Sequence, residues 1–181
     1  SLVAHIKNTR TPFSIDFGVG DVIVPKQEKR KIPTQLDDFT SPTVNTYSLE
    51  TTIAEKLDAI LDLMEFSSRM KDYYDIYYLA NKFDFDGKVL TEALKKTFEN
   101  RGHTFTIEQF EQVMSFANDS AMQKKWKAFY RKIDTKTDDF NTVLKTIKQF
   151  LTKPFTAAVK DEKFTDQWYS NENKWNKEIQ K

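Results

Sequence analysis

The sequence contains no cysteine, which removes disulfides, thiolate zinc sites and a cysteine nucleophile together. Histidine is scarce as well: His5 and His103 lie far apart, and a histidine-rich metal site is not expected. Four glycines and five prolines are few for 181 residues, and most stand before residue 45. The chain therefore divides into a turn-rich, β-capable start and a long helical remainder. Charge of neither sign is in excess: 28 basic residues face 27 acidic ones, so the net +1 names no partner. No apolar run reaches the roughly 20 residues that span a bilayer, and no secretory signal pattern opens the chain. A soluble cytoplasmic protein with no membrane partner is the expectation. The opening Ser1-Leu-Val-Ala-His5, without methionine, is what a piece of something longer would show.

What is present is core-forming material. Hydrophobic residues make up 39% and aromatics 14%, which argues against disorder and for one domain or one and a half. Residues 12–25, "PFSIDFGVGDVIVP", alternate as a strand does over Phe13, Ile15 and Phe17, turn at Gly18 and Gly20, and predict a second short strand at Val22–Val24. A charged loop, with room for one more strand, follows to residue 46. Ser48 then predicts an N-cap, with a strong helix over Leu49–Phe66. After "SSRM" a helix over Lys71–Phe83 is expected. Asp86 is a cap for a helix over Lys88–Asn100 that Gly102 stops, and Thr106 precedes another over Ile107–Ala117. Helices over Ser120–Ile133 and Asp138–Leu151 precede a tail that carries Trp168 and Trp175. The expected class is α+β and mostly helical: a small β portion over residues 1–46, then a helical bundle over 47–181.

Two helices carry polar residues where apolar ones would be ordinary. At about 100° per residue, Ile76, Leu79 and Phe83 share one stripe, with Asp72 in its middle and Asp75 on its edge. A carboxylate aimed at a core must be neutralised or used, because an unpaired buried charge is too costly to keep. On the preceding helix, Lys56 lies about 70° from the apolar centre, at the shoulder of the stripe, while Glu55, Asp58 and Asp62 are expected to point away. A shoulder lysine can run its stem along the core and present its ammonium to a cleft. Asp72 can be read as a first-turn acid favoured by the helix dipole, or as the partner of Lys56 or Arg69 at a phosphate or metal site. Tyr73, Tyr74, Tyr77 and Tyr78 are expected to pack. Asp16, between Ile15 and Phe17, is on the polar side of its strand. The Asp-x-Asp of "FDFDG" (Phe83–Gly87) lies between helices with no strand expected, so Asp84 and Asp86 are read as loop and capping residues. The helix "SAMQKKWKAFYRKI" joins an apolar face to Lys124, Lys125, Lys127, Arg131 and Lys132, which could neutralise an RNA backbone or simply face solvent.

The blocks "YSLETTIAEKLDAI" (Tyr47–Ile60) and "RMKDYYDIYYL" (Arg69–Leu79) resemble the central signature of the AbiEii/AbiGii abortive-infection toxin family of nucleotidyltransferases. The resemblance continues in order through Leu94–Phe105, Lys124–Lys132 and Asp138–Leu151. It implies that the β portion is the end of a polymerase-beta-like nucleotidyltransferase core. It also implies an NTP substrate, a magnesium requirement, an RNA acceptor such as tRNA, and a cognate antitoxin. Carried over, Lys56 matches the lysine that contacts the nucleotide, Asp72 the essential aspartate that follows, and Asp16 a metal-binding carboxylate. Arg69 and Lys71 are the further nucleotide-binding candidates, and Lys124, Lys125, Lys127 and Arg131 the RNA-binding ones. The family's first motif, Gly-Ser followed by Asp-x-Asp, has no counterpart here. By that resemblance the chain alone is expected to be inactive. A non-catalytic helical module that binds RNA or an antitoxin through the Trp126 face is the alternative, and a purely structural Lys56–Asp72 ion pair is a third.

Overall fold

A computed structural model describes residues 2–15, 19–133 and 138–177, the side chain of Ile6 excepted. Asp16 lies outside the described residues. Two hairpins open the chain. Strands β1 (Leu2–Ile6) and β2 (Thr9–Phe13) pair antiparallel with Leu2 opposite Phe13. Strands β3 (Glu28–Lys31) and β4 (Thr43–Thr46) pair with Glu28 opposite Thr46. The alternation from Phe13 onward therefore misplaced the first strand. It ends at Phe13, and its partner is the earlier stretch Leu2–Ile6. Val22–Val24 is not a strand either. Its backbone bonds instead to the first turn of the following helix: Val24 N–H donates to Thr51 Oγ1 at 2.8 Å, and Ser48 Oγ donates to Val24 O. Val24 is the one buried residue among those described before Ser48.

From Ser48 onward the chain is mostly helical, and the N-caps Ser48, Asp86 and Thr106 are those read from the sequence. Ser48 Oγ accepts from Thr51 N–H at the start of α1 (Leu49–Leu63), which ends in a single 3-10 turn at Met64–Phe66. Helix α2 spans Met70–Lys82. A two-residue strand, β5 (Phe85–Asp86), follows where none was expected, and Asp86 then caps α3 (Gly87–Arg101) by accepting from Lys88 and Val89 N–H. Gly102 closes α3 at φ +68°, a left-handed conformation that costs glycine little. Thr106 and Gln109 form a reciprocal capping box for α4 (Ile107–Ser115). Helix α5 runs over Ser120–Tyr130.

The largest surprise is α6, which continues past Leu151 to span Phe140–Lys160 with Pro154 inside it. A proline there frees the carbonyl four residues back, and Trp175 Nε1 donates to that carbonyl, Phe150 O, at 2.8 Å. The apolar face of Phe150, Leu151, Pro154 and Phe155 is buried throughout. Burial and one borrowed donor thus outweigh the break. The tail supplying that donor forms strands β6 (Gln167–Tyr169) and β7 (Lys174–Asn176), which extend β5 into a three-stranded antiparallel sheet. Trp168 Nε1 likewise donates to Ala80 O at the end of α2, at 2.7 Å. The tail crosses Gly87 so closely that an added Cβ would lie 2.6 Å from Asp166 O. Phe85, Phe110, Phe150, Phe155 and Trp168 form the aromatic centre of the core, around which α6 contacts α2, α3 and α4.

Candidate active site

The inward carboxylate of α2 meets the shoulder lysine of α1. Lys56 Nζ lies 3.0 Å from Asp72 Oδ1 and 2.6 Å from Asp75 Oδ2. Asp72 also accepts from Arg69 Nε, three residues earlier, and Asp75 binds Lys71 Nζ at 2.6 Å, four residues earlier. The result is an alternating chain, Arg69–Asp72–Lys56–Asp75–Lys71, in which three cations hold two carboxylates. Its centre is dry and its ends are wet. The Asp72 side chain is 5% exposed and that of Lys56 19%, against 55% for Arg69 and 71% for Lys71.

Sequence spacing built this chain locally, and the α1–α2 contact closed it. Residues 69 and 72, and 71 and 75, sit on neighbouring turns of one helix, where opposite charges meet. Burial alone would lower the Lys56 pKa, but hydrogen bonds to Asp75 and Asp72 outweigh it and the pKa is raised. Lys56 therefore stays a cation. Between its carboxylates it keeps one of three ammonium donors, and the Arg69 Nη groups make no hydrogen bond to described residues.

Phe83, expected in the stripe with Ile76 and Leu79, instead ends α2 at 37% exposure. Tyr73 takes the buried place. Its hydroxyl has no partner among the described residues, and burial, with Asp72 nearby, raises its pKa well above the usual phenol range. Tyr77 donates to Asp138, while Tyr74 and Tyr78 stack on each other with centroids 6.3 Å apart.

A second charged cluster on α1 escaped the sequence reading. Asp58, expected to point away, is fully buried. Arg101 Nη1 reaches it at 2.8 Å and His103 Nδ1 at 2.9 Å, while Arg101 also grips Glu55. Burial raises the Asp58 pKa, and the His103 contact opposes that rise. The single-stripe wheel failed because α1 packs against α2 on one side and α3 and α4 on another, so its buried surface is wide. The available signal was Asp58 standing between Leu57 and Ala59, opposite the "ENRGH" that closes α3.

The remaining candidates sort by contact. Asp84 accepts from Ser170 N–H and Oγ at 2.7 and 2.9 Å, and Asp86 caps α3, so "FDFDG" is structural even though a short strand passes through it. Lys124, Lys127 and Arg131 are exposed on or just past α5. Lys125 is not available with them: its ammonium binds Glu65 O at 2.8 Å and Ser67 O at 2.9 Å. Trp126 is 3% exposed and donates Nε1 to Asp138 O, which removes it as a surface stacking platform. A depression of about 430 Å³ lies beside it, lined by Trp126, Lys127, Tyr130, Asp138 and Phe140, and neither Lys56 nor Asp72 borders it. Among the described residues no three acids or histidines converge to hold a metal ion. Asp72 and Asp75 are both neutralised by cations, so the described residues do not form a magnesium site.

Against known proteins, residues 2–165 match the family model for the nucleotidyl transferase AbiEii toxin of type IV toxin–antitoxin systems. No curated protein and no solved structure matches the chain.

Proposed function

The chain belongs to the AbiEii nucleotidyl transferase toxin family of type IV toxin–antitoxin systems, and from that premise we propose that the Arg69–Asp72–Lys56 chain is its nucleotide-phosphate site. In this reading the β portion belongs to a polymerase-beta-like core, the donor is an NTP, and the acceptor is the 3′ hydroxyl of an RNA such as a tRNA. The hydroxyl oxygen forms a bond to the α-phosphorus, and the bond from that phosphorus to the bridging oxygen of the β-phosphate breaks. Pyrophosphate leaves, and the hydroxyl proton is released to water. A cognate antitoxin is the expected protein partner.

The observation that carries the reading is the imbalance at the site: three cations against two carboxylates, with the surplus donors at the exposed end. Such donors suit a polyanion, and they act most strongly where their own orientation is fixed beforehand. Asp72 does that fixing. It holds Lys56 and Arg69 at once and is itself the least exposed member. Lys56 and Arg69 would then bear the phosphates, with Lys71 as an outer contact. Asp16 keeps the role of metal-binding carboxylate that the resemblance gave it. Lys124, Lys127 and Arg131 remain the candidate RNA contacts, without Lys125.

Lys56→Ala, made in a complete protein that carries the Gly-Ser and Asp-x-Asp motif and transfers label as wild type, tests the assignment. Transfer of label from an α-labelled NTP to RNA is expected to fall about 100-fold or more, the scale of losing one preorganised charge donor. Retention of RNA by the protein should be nearly unchanged. Undiminished transfer would refute the assignment. It would also favour the second reading, a purely structural ion pair, which the double neutralisation of Lys56 supports.

A further inference from the structure

We infer that Lys125 is a positioning residue for the Arg69–Asp72–Lys56 chain, an inference that rests on the phosphate-site reading above. Helix α1 and the 3-10 turn that extends it end without a basic residue of their own, and Glu65 adds a negative charge there. The carbonyls at such an end attract a cation. The cation comes from α5: Lys125 Nζ donates to Glu65 O and Ser67 O, bridging 60 and 58 residues of sequence. It is half-buried, whereas Lys124 and Lys127 on the same helix are exposed.

What Lys125 grips is the start of a relay. Ser67 is fully buried, its carbonyl accepts from Lys125, and its hydroxyl accepts from Arg69 N–H at 3.1 Å. Arg69 carries on to Asp72 twice, through its side-chain Nε and through its carbonyl, which accepts from Asp72 N–H at 2.9 Å. Asp72 ends on Lys56. This connection between α1 and α2 is not regular helix: Met64 has φ +48° and Arg69 has ψ +53°. The bend has short-range bonds of its own, Ser67 N–H to Met64 O and Met70 N–H to Ser68 O. Lys125 adds the tether from another helix that fixes the bend, and with it Arg69, against the rest of the fold. Lys125 therefore acts through Ser67 and Arg69 and touches no substrate.

Lys125→Met keeps the stem and removes the donors, Lys125→Arg keeps a cation, and Lys145→Met, exposed on α6, matches the loss of charge. Amide hydrogen exchange reads the position directly. Exchange at Arg69 and Asp72 is expected to rise about tenfold in Lys125→Met, as for a lost charge-assisted hydrogen bond, and to stay at wild-type level in Lys145→Met. In the transfer assay, kcat should fall about tenfold with KM for RNA unchanged, and Lys125→Arg should restore most of it. Unchanged exchange at Arg69 and Asp72 would overturn the inference. So would a salt-dependent rise in KM for RNA at constant kcat, which is the signature of a phosphate contact, or a lowered Tm that leaves exchange at Arg69 and kcat untouched. If wild type and Lys56→Ala transfer label equally, the phosphate-site reading fails, and the exchange experiment still decides what Lys125 holds.

Discussion

Helix α1 has a buried ion cluster on each of two faces, and they differ in what they leave over. On the Lys56 face two carboxylates lie among three cations, and the outer cations, Arg69 and Lys71, are more than half exposed. On the Asp58 face three acids, Glu55, Asp58 and Asp62, share one arginine and one histidine, and the central carboxylate has no exposure at all. Both tie α1 to a neighbouring helix. The first has more cations than carboxylates and leaves its outer cations more than half exposed, whereas the second has more acids than cations and leaves Arg101 and His103 about a third exposed. The lesson is that a buried charge pair becomes a candidate binding site through its surplus, not through its burial.

The hardest test of that contrast is Asp58→Ala. It leaves Arg101 and His103 facing a cavity, and the expected loss is about 3 kcal/mol in urea unfolding. That lies at the low end for a broken buried pair because Arg101 keeps Glu55. A loss under about 0.5 kcal/mol, typical of surface sites, would show that this face is no clamp. Inorganic triphosphate sharpens the other side of the comparison. A concentration of 100 Kd should stabilise the protein by about 2.7 kcal/mol. The shift should vanish in Lys56→Ala and persist in His103→Ala. Equal shifts in both variants would place the anion elsewhere.

Acidity separates the two faces by sign. The raised Lys56 pKa adds stability that is present below the unfolded value of 10.5 and lost as pH climbs through the higher folded value. The raised Asp58 pKa works oppositely: that carboxylate's cost appears as pH rises above 3.8 and is relieved in acid. Lys56→Met should therefore flatten the stability profile above pH 10.5, and Asp58→Asn the profile just above pH 3.8. The smallest effect belongs to Tyr77, whose pKa burial and its bond to Asp138 push up to about 12. Its share of stability falls between pH 10 and about 12, and Tyr77→Phe should remove only that slope from an alkaline titration.

The helical half was legible because its signals are local. Ser48, Asp86 and Thr106 each satisfy backbone N–H groups two or three residues ahead, and a cap needs no distant partner. The Lys56–Asp72 meeting was legible for a related reason: each residue sits at a definable angle on its own helix. Most of the failures were non-local. Pro154 reads as a stop until Trp175 arrives, 25 residues downstream of Phe150, to take the freed carbonyl. Lys125 reads as one of a row of surface lysines until the end of α1 takes its ammonium. The hairpin of β1 and β2 carries exposed side chains on both strands described, so no apolar alternation betrayed it.

Sequence by itself therefore determined most helix starts, the α+β class, and that Asp72 would face inward with Lys56 or Arg69 as its partner, because these follow from spacing along a 3.6-residue helix. The tertiary structure decided that Asp75 would join them, that Asp58 would be sealed under Arg101 and His103, and that Lys125 would turn inward. Those outcomes depend on which helix ends lie within a few ångströms of one another. A single helix carries no record of its neighbours' free carbonyls and carboxylates. Packing brought them together.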